Sequence, residues 1–332
     1  MRHANLSIFV PHLGCPNQCS FCNQRSISGA QSMPDGNSVV QLCRAGEQQL
    51  KDRCSDAEIA FFGGSFTAID RDYMLELLEA AAPFTQGGVF KGIRISTRPD
   101  CIDEEILELL ARFHVSAIEL GAQSMSDRVL EMNQRGHSAL DVERSAKLIC
   151  AYGFELGLQM MTGLYGSDDR IDMETARRLA TLSPKTVRIY PTIVMDGTLL
   201  ADLYRMGKYQ PQTLEGAIAL GAKLLKFFST QDIPVIRMGL HAQDTLETAM
   251  LAGPYHPAYR ELCEGKWMRD QAFSLLDGKP KGDYILHVAK KSVSKITGHG
   301  ARTIDDLGKL GYNIRIKQDS GLTGLTLEIR EV

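Results

Sequence analysis

The 332-residue sequence predicts an α/β fold, a partial (β/α)6-type barrel followed by a small C-terminal α+β extension. Three observations predict it. Short apolar runs alternate with amphipathic helical stretches as far as about residue 240, the pattern of repeated βα units. Polar, glycine and cysteine motifs follow one strand after another at its C-terminal end, where β/α barrels build their sites. Beyond residue 240 the rhythm breaks into a Gly/Pro/His segment and further strand-like runs. The expected division is 1–240 for the barrel and 241–332 for an extension with a candidate role in substrate binding.

The elements follow in order. Residues 7–11 are a first strand leading into a cysteine loop, and 38–53 a helix with Val39, Val40, Leu42 and Cys43 as its apolar stripe. Strand 58–64 runs into a glycine turn, and helix 70–84 takes Asp70 as its N-cap. Strand 92–100 is stopped by Pro99, and helix 101–113 carries acidic residues in its first turns, where the macrodipole favours them. Strand 116–124, helix 139–152, strand 154–164, helix 168–182, strand 187–194, helix 212–230 and strand 233–240 complete seven strand-like runs. Strands separated by helices argue for parallel pairing with crossover connections. Within 313–329 a DSGLTG turn between two strand-like runs predicts a hairpin.

Apolar residues make up 44% and charged residues 23%, the balance of a soluble protein with a substantial core. The net charge of −3 gives no global signature of a nucleic-acid binder. No run approaches the ~20 apolar residues of a membrane span. The N-terminal MRHANLSIFVPHLG has too short an apolar stretch for a secretory signal and lacks a small-residue cleavage site. Cytoplasm is therefore the expected location, where disulfide staples are disfavoured. Of eight cysteines, Cys15, Cys19 and Cys22 crowd together, which points to metal. Cys43, Cys54, Cys101, Cys150 and Cys263 are scattered and are expected to be ordinary thiols.

The crowded cysteines form C-x3-C-x2-C in GCPNQCSFCNQ. Thiolates suit zinc, copper(I) or iron–sulfur clusters. Structural zinc takes four protein ligands, often as two separated pairs, and ferredoxin clusters take four cysteines. Here a fourth is missing locally, and His12 sits on the wrong side of the loop for a usual pair. Three thiolates leave one iron of a 4Fe–4S cluster open to an amine and carboxylate. A zinc or iron–sulfur binding module without catalysis is the competing reading.

With this cysteine motif and FFGGSFTAI at 61–69, the chain resembles the radical S-adenosylmethionine (SAM) superfamily over about residues 5 to 240. Within it the chain is similar to the group containing the Elongator catalytic subunit and, more distantly, oxygen-independent coproporphyrinogen oxidase. The resemblance implies a 4Fe–4S cluster on Cys15, Cys19 and Cys22, reductive cleavage of SAM to a 5′-deoxyadenosyl radical, and a reducing partner such as flavodoxin or ferredoxin. It places Phe9 and Phe21 beside the cofactors, and Gly63, Gly64 and Ser65 at the methionine end, where bare glycine backbone permits close approach. Ser96 and Arg98 occupy the third-strand position, Ser96 standing where the oxidases carry a glutamate. Glu119 and Gln123 lie on the fourth strand. Arg135, in NQRGH, matches an arginine that meets the cofactor carboxylate or ribose, a task suited to its fork; His137 follows as a candidate for the same task. Gln159 stands where the oxidases carry a ribose-binding aspartate, and Tyr190 is expected to line the adenine pocket or to cap the site. Phe61, Phe62, Met160 and Met161 are expected in the core.

Residues 188–209, 237–246 and 251–263 are also similar to the Elongator group, which acts on the wobble uridine of tRNA. The sequence holds no counterpart of that group's acetyltransferase domain. The resemblance makes tRNA a candidate partner and implies no membrane. Lysines over 279–295, with Tyr284 and His287, are placed to neutralise phosphates and stack bases. The glycines of GHG at 298–300 are a candidate phosphate loop. The alternatives are a solvated lysine face and, for the reaction, a small metabolite or porphyrin as substrate.

Overall fold

The computed structural model describes residues 4–10, 18–23, 33–51, 56–87, 89–240, 244–297 and 302–331. The chain forms two compact units, one of Met1–Thr213 with Gln231–Tyr255, the other of Leu214–Thr230 with His256–Val332.

The first unit holds strands β1 (Ala4–Val10), β2 (Ala57–Gly63), β3 (Gly92–Thr97), β4 (Val115–Gln123), β5 (Glu155–Thr162), β6 (Thr186–Pro191), β7 (Val194–Met195), β8 (Val235–Met238) and β9 (Met250–Ala252). All except β7 and β9 join one parallel sheet in the order β1-β2-β3-β4-β5-β6-β8; β7 and β9 form a separate antiparallel pair. The seven expected runs are these seven parallel strands, laid down in chain order. Between them come helices α1 (Gly36–Leu50), α2 (Arg71–Gln86), α3 (Glu104–Arg112), α4 (Asp127–Met132), α5 (Ala139–Ala151), α6 (Asp169–Ala180) and α7 (Leu199–Arg205).

The sheet curls into a partial barrel, and one contact measures the curl. The Arg188 guanidinium on β6 lies 4.7 Å from the centre of the Phe62 ring on β2. In a flat sheet, four strand spacings would hold those strands roughly 19 Å apart. The period-2 alternation of each strand therefore has a concave and a convex meaning. Ile59, Phe61, Ile93, Ile95, Ile118, Leu120, Leu158 and Ile189 point to the convex face, where they are buried. The residues between them are polar or small and face inward.

Caps fix the helix starts. Asp70 accepts from the backbone N–H of Asp72 and Tyr73, as expected. α3 begins at Glu104 rather than 101, because Pro99–Cys101 forms a 3-10 turn and Asp103 caps the helix through Ile106 N–H. In α1 the buried stripe is Val39, Cys43 and Gly46, and Leu42 is exposed.

The second unit packs the helices Leu214–Thr230 and Tyr259–Leu276 together, with Tyr259 Oη donating to the Ala217 carbonyl at 2.8 Å. Its sheet comprises β10 (Gly282–Val288), β11 (Tyr312–Gln318) and β12 (Leu327–Glu331) in the order β11-β10-β12. This corrects the expected hairpin. β11 and β12 do not pair with each other; β10 lies between them, parallel to β11 and antiparallel to β12. A turn-like sequence gives a local reversal and cannot announce that a third strand will intervene. Met268, Leu276, Tyr284, Leu286, Ile296 and Leu307 build the apolar core of this unit. Among the described residues no helix is long and apolar enough to cross a membrane.

Candidate active site

The concave face carries charge deep in the barrel. Arg94 on β3 is 2.7 Å from Glu58 on β2 and 3.3 Å from Glu119 on β4, all three nearly sealed from solvent. Arg188 reaches Glu119 at 2.5 Å, and Gln159 Nε2 donates to the same carboxylate at 2.9 Å and to Ser96 Oγ at 3.1 Å. Gly157 makes room, since a Cβ there would lie 2.8 Å from Glu119 Cγ. Buried charges are tolerated because each is paired and hydrogen-bonded. Glu119 is thus an internal ion-pair partner and does not line the cavity above.

That cavity, of about 530 Å³, opens at the C-terminal ends of the strands. Phe9 lines it from β1, Phe21, Cys19 and Cys22 from the cysteine loop, and Gly63, Gly64 and Ser65 from the turn after β2. Ser96 and Arg98 come from β3 and its exit, Gln123 and Arg135 from β4 and the segment after α4, Gln159 and Tyr190 from β5 and β6. The structure therefore gathers every expected cofactor residue except Glu119. Cys15, His12, Cys54 and the glycines of 298–300 lie outside the described residues.

The Gly63–Gly64 turn hooks onto the end of β1. Gly63 has φ +128°, a Cβ there would stand 2.1 Å from the Val10 carbonyl oxygen, and Gly64 N–H donates to that oxygen at 3.3 Å. Only glycine fits. At β4 the pairing with β5 slips between Gly121 and Gln123, and Gln123 adopts φ +63°. This bulge re-aims the glutamine, whose buried Oε1 has no partner among the described residues, a strained arrangement of the kind found at ligand sites.

The cysteine loop is braced from two sides. Ser20 N–H and Oγ donate to the carbonyl and side-chain oxygens of the fully buried Asn133, at 3.0 and 2.8 Å, while Leu200 N–H donates to the Ser20 carbonyl at 2.7 Å. Cys19 itself is buried, and Arg135 Nη1 sits 3.1 Å from its sulfur while Nη2 donates to the Gly121 carbonyl at 2.6 Å. Arg98 grips Asp100 bidentately at 2.9 Å and donates to the Arg135 carbonyl. His137 lies behind this layer, outside the cavity lining, with Nε2 3.2 Å from the Ala122 carbonyl; burial and the neighbouring Arg135 push its pKa down to about 4, so it is neutral.

Several lining residues escaped the sequence. Phe62 and Met161, expected in the core, face the cavity, whereas Phe61 and Met160 are fully buried. Asn5, Ser7, Arg188 and Arg237 also line it. The available signal was a polar residue alternating with apolar ones inside a strand, as in NLSIF and VRIYP. In the second unit, Tyr284 is buried against Tyr312 and donates to the Pro280 carbonyl at 2.8 Å, and His287 is buried too. Neither ring is presented for stacking a base. Lys295 is paired with Glu264 at 2.6 Å, whereas Lys290 and Lys291 are exposed. Cys43 and Cys263 are core thiols whose pKa burial pushes up to about 12, and Cys150 is exposed.

Residues 9–179 match the model of the radical SAM superfamily, and 184–269 that of the radical SAM C-terminal domain. An uncharacterized protein of Methanocaldococcus jannaschii is 30% identical over 227 residues, 65% of this chain and 70% of the relative. The tRNA uridine(34) acetyltransferase of Dehalococcoides mccartyi is 23% identical, over 73% of this chain and 61% of that one. In fold, the chain is similar to Elp3 of Methanocaldococcus infernus, with a TM-score of 0.62 at 21% identity, covering 82% of this chain and 63% of that one. The chain thus spans less than two thirds of the latter two proteins.

The residues present fit a cluster and its cosubstrate. A buried cysteine lies against a cavity within the ~300–1,000 Å³ of ligand sites, beside a turn where only glycine fits and three buried polar atoms without partners among the described residues, Gln123 Oε1, Arg98 Nη1 and Arg135 Nε. Unsatisfied buried groups of this kind call for a ligand.

Proposed function

Because the chain belongs to the radical SAM superfamily, whose enzymes use a 4Fe–4S cluster and SAM, we propose that it is a radical enzyme acting on the wobble uridine of tRNA. The observation that carries the chemistry is the buried Cys19 facing a cavity flanked by the Gly63–Gly64 turn. The tRNA half is supported by the naming of the Dehalococcoides relative and by likeness to the Elongator group.

In this reading Cys15, Cys19 and Cys22 hold the cluster. When bound, the cluster supplies the electron that breaks a C–S bond of SAM and gives a 5′-deoxyadenosyl radical. The chain's own work is placement. Gly63 and Gly64 let the methionine end approach backbone closely, and Ser65 adds a hydroxyl there. Gln123, Gln159 and Ser96 offer hydrogen bonds to ribose and amino groups. Phe9, Phe21 and Tyr190 wall the site and exclude water, which protects a radical from quenching. The ion pairs beneath lock the rotamers of Gln159 and Arg188, so the floor is organised before a ligand arrives. A flavodoxin- or ferredoxin-like protein is the proposed electron source.

Anaerobic reconstitution with iron, sulfide, SAM and dithionite tests this. 5′-Deoxyadenosine should form, and bulk tRNA should increase it and acquire a modified uridine. A zinc-only protein without a brown chromophore would overturn the radical reading. Turnover indifferent to tRNA and dependent on a small molecule would overturn the tRNA assignment alone.

A further inference from the structure

We infer that Arg135 tunes the cluster's reduction potential by donating to the sulfur of Cys19. Two of its five N–H donors are engaged, one of them on the sulfur. Nη1 is 3.1 Å from Cys19 Sγ and Nη2 is 2.6 Å from the Gly121 carbonyl. Among the described residues its Nε has no partner, so the sulfur contact leaves donors over for a ligand.

The arginine is also held there by construction. Asp100 fixes Arg98, Arg98 holds the Arg135 carbonyl, and Arg135 N–H donates to the Leu130 carbonyl at 3.0 Å. Asn133, two residues earlier, receives both donors of Ser20 and donates to the Val129 and Tyr165 carbonyls at 2.7 and 2.9 Å. The cysteine loop and the arginine segment are therefore one braced piece. Gly121 keeps the guanidinium in place, since a Cβ there would lie 3.4 Å from Nη2 and 3.0 Å from Gln123 Nε2.

The physical consequence is electrostatic. One-electron reduction adds negative charge to a thiolate-bound cluster. A guanidinium donating to one ligand sulfur, in a site where Cys19 and Arg135 are each 6% exposed, stabilises that added charge more than it would in water. Hydrogen bonds to ligand sulfur and solvent exclusion are recognised controls of cluster potential. Arg135 therefore raises the potential and eases electron entry from the donor. Arg98 acts as a positioning residue through it.

The inference rests on the cluster reading above, and an EPR-monitored redox titration of the reconstituted full chain tests it. Arg135→Gln should keep the iron and sulfide content and show a midpoint potential more negative than wild type. Arg135→Lys, which keeps the charge without the fork, should fall between. An unchanged potential in Arg135→Gln would overturn the inference, whatever that variant's SAM affinity. Should that variant not hold a cluster, Arg98→Gln must shift the potential in the same direction by less, and an unmoved value there would also overturn it. A wild-type chain with no reducible 4Fe–4S signal would instead remove the cluster reading itself.

Discussion

On β4, Ile118 and Leu120 point outward into packed helices, while Glu119 between them points inward to Arg94 and Arg188. The same contrast repeats on β3, with Ile93 and Ile95 on one face and Arg94 and Ser96 on the other. The convex face is held by burial, which is non-directional and tolerant of small changes in shape. The concave face is held by paired charges, which tolerate the loss of a partner poorly because a stranded buried charge is costly. A sheet that must present polar groups to a ligand cannot fill its interior with hydrocarbon; it satisfies those groups against each other instead.

The largest effect expected is functional. Cys19→Ala should abolish cluster binding, read as iron content and visible absorption, yet barely move thermal unfolding of the apo-protein, because the loop is braced through Ser20 rather than Cys19. A large loss of apo-stability would mean the loop is part of the folding core. Next, Glu119→Ala leaves Arg94 and Arg188 short of a partner and should cost about 3–5 kcal/mol in urea unfolding. Its neighbour Ile118→Val, on the other face, should cost only ~0.5–1.5 kcal/mol. Equal costs would erase the distinction between the faces. Gly157→Ala lies between, at roughly 1–3 kcal/mol, since its methyl group overpacks Glu119.

The smallest effect is in pH dependence, where two buried groups oppose each other. Burial raises Asp172 from 3.8 to about 7, although Ser167 and Gly163 donate to it. The native state then holds a proton that the unfolded chain releases, so this contribution is full below pH ~4 and is lost as pH rises through 7. His137, lowered from 6.5 to about 4, contributes above its unfolded value and loses that contribution as pH falls through 4. Between pH ~4.5 and 6.5 the slopes offset, and stability should be nearly flat. Asp172→Asn should make stability rise with pH across that window, and His137→Gln should make it fall. Parallel curves for the two variants would show that these groups do not titrate as their burial requires.

Sequence alone determined the seven parallel strands and their order, because apolar runs bounded by Gly, Pro and caps are local signals with a local cause. It also indicated that motifs following successive parallel strands meet at one end of the sheet, although Phe62, Met161 and Arg188 reach the cavity unannounced and Glu119 does not reach it. Tertiary structure decided the rest. Which way Phe62 and Phe61 face depends on the register of a curled sheet, and a one-residue shift would exchange them. That Glu119 is bound by Arg94 and Arg188 rather than by a ligand, that β10 separates β11 from β12, and that Arg135 donates to Cys19 and Gly121 are long-range pairings. Such pairings depend on distances closed by the whole fold, and no window of neighbouring residues carries them.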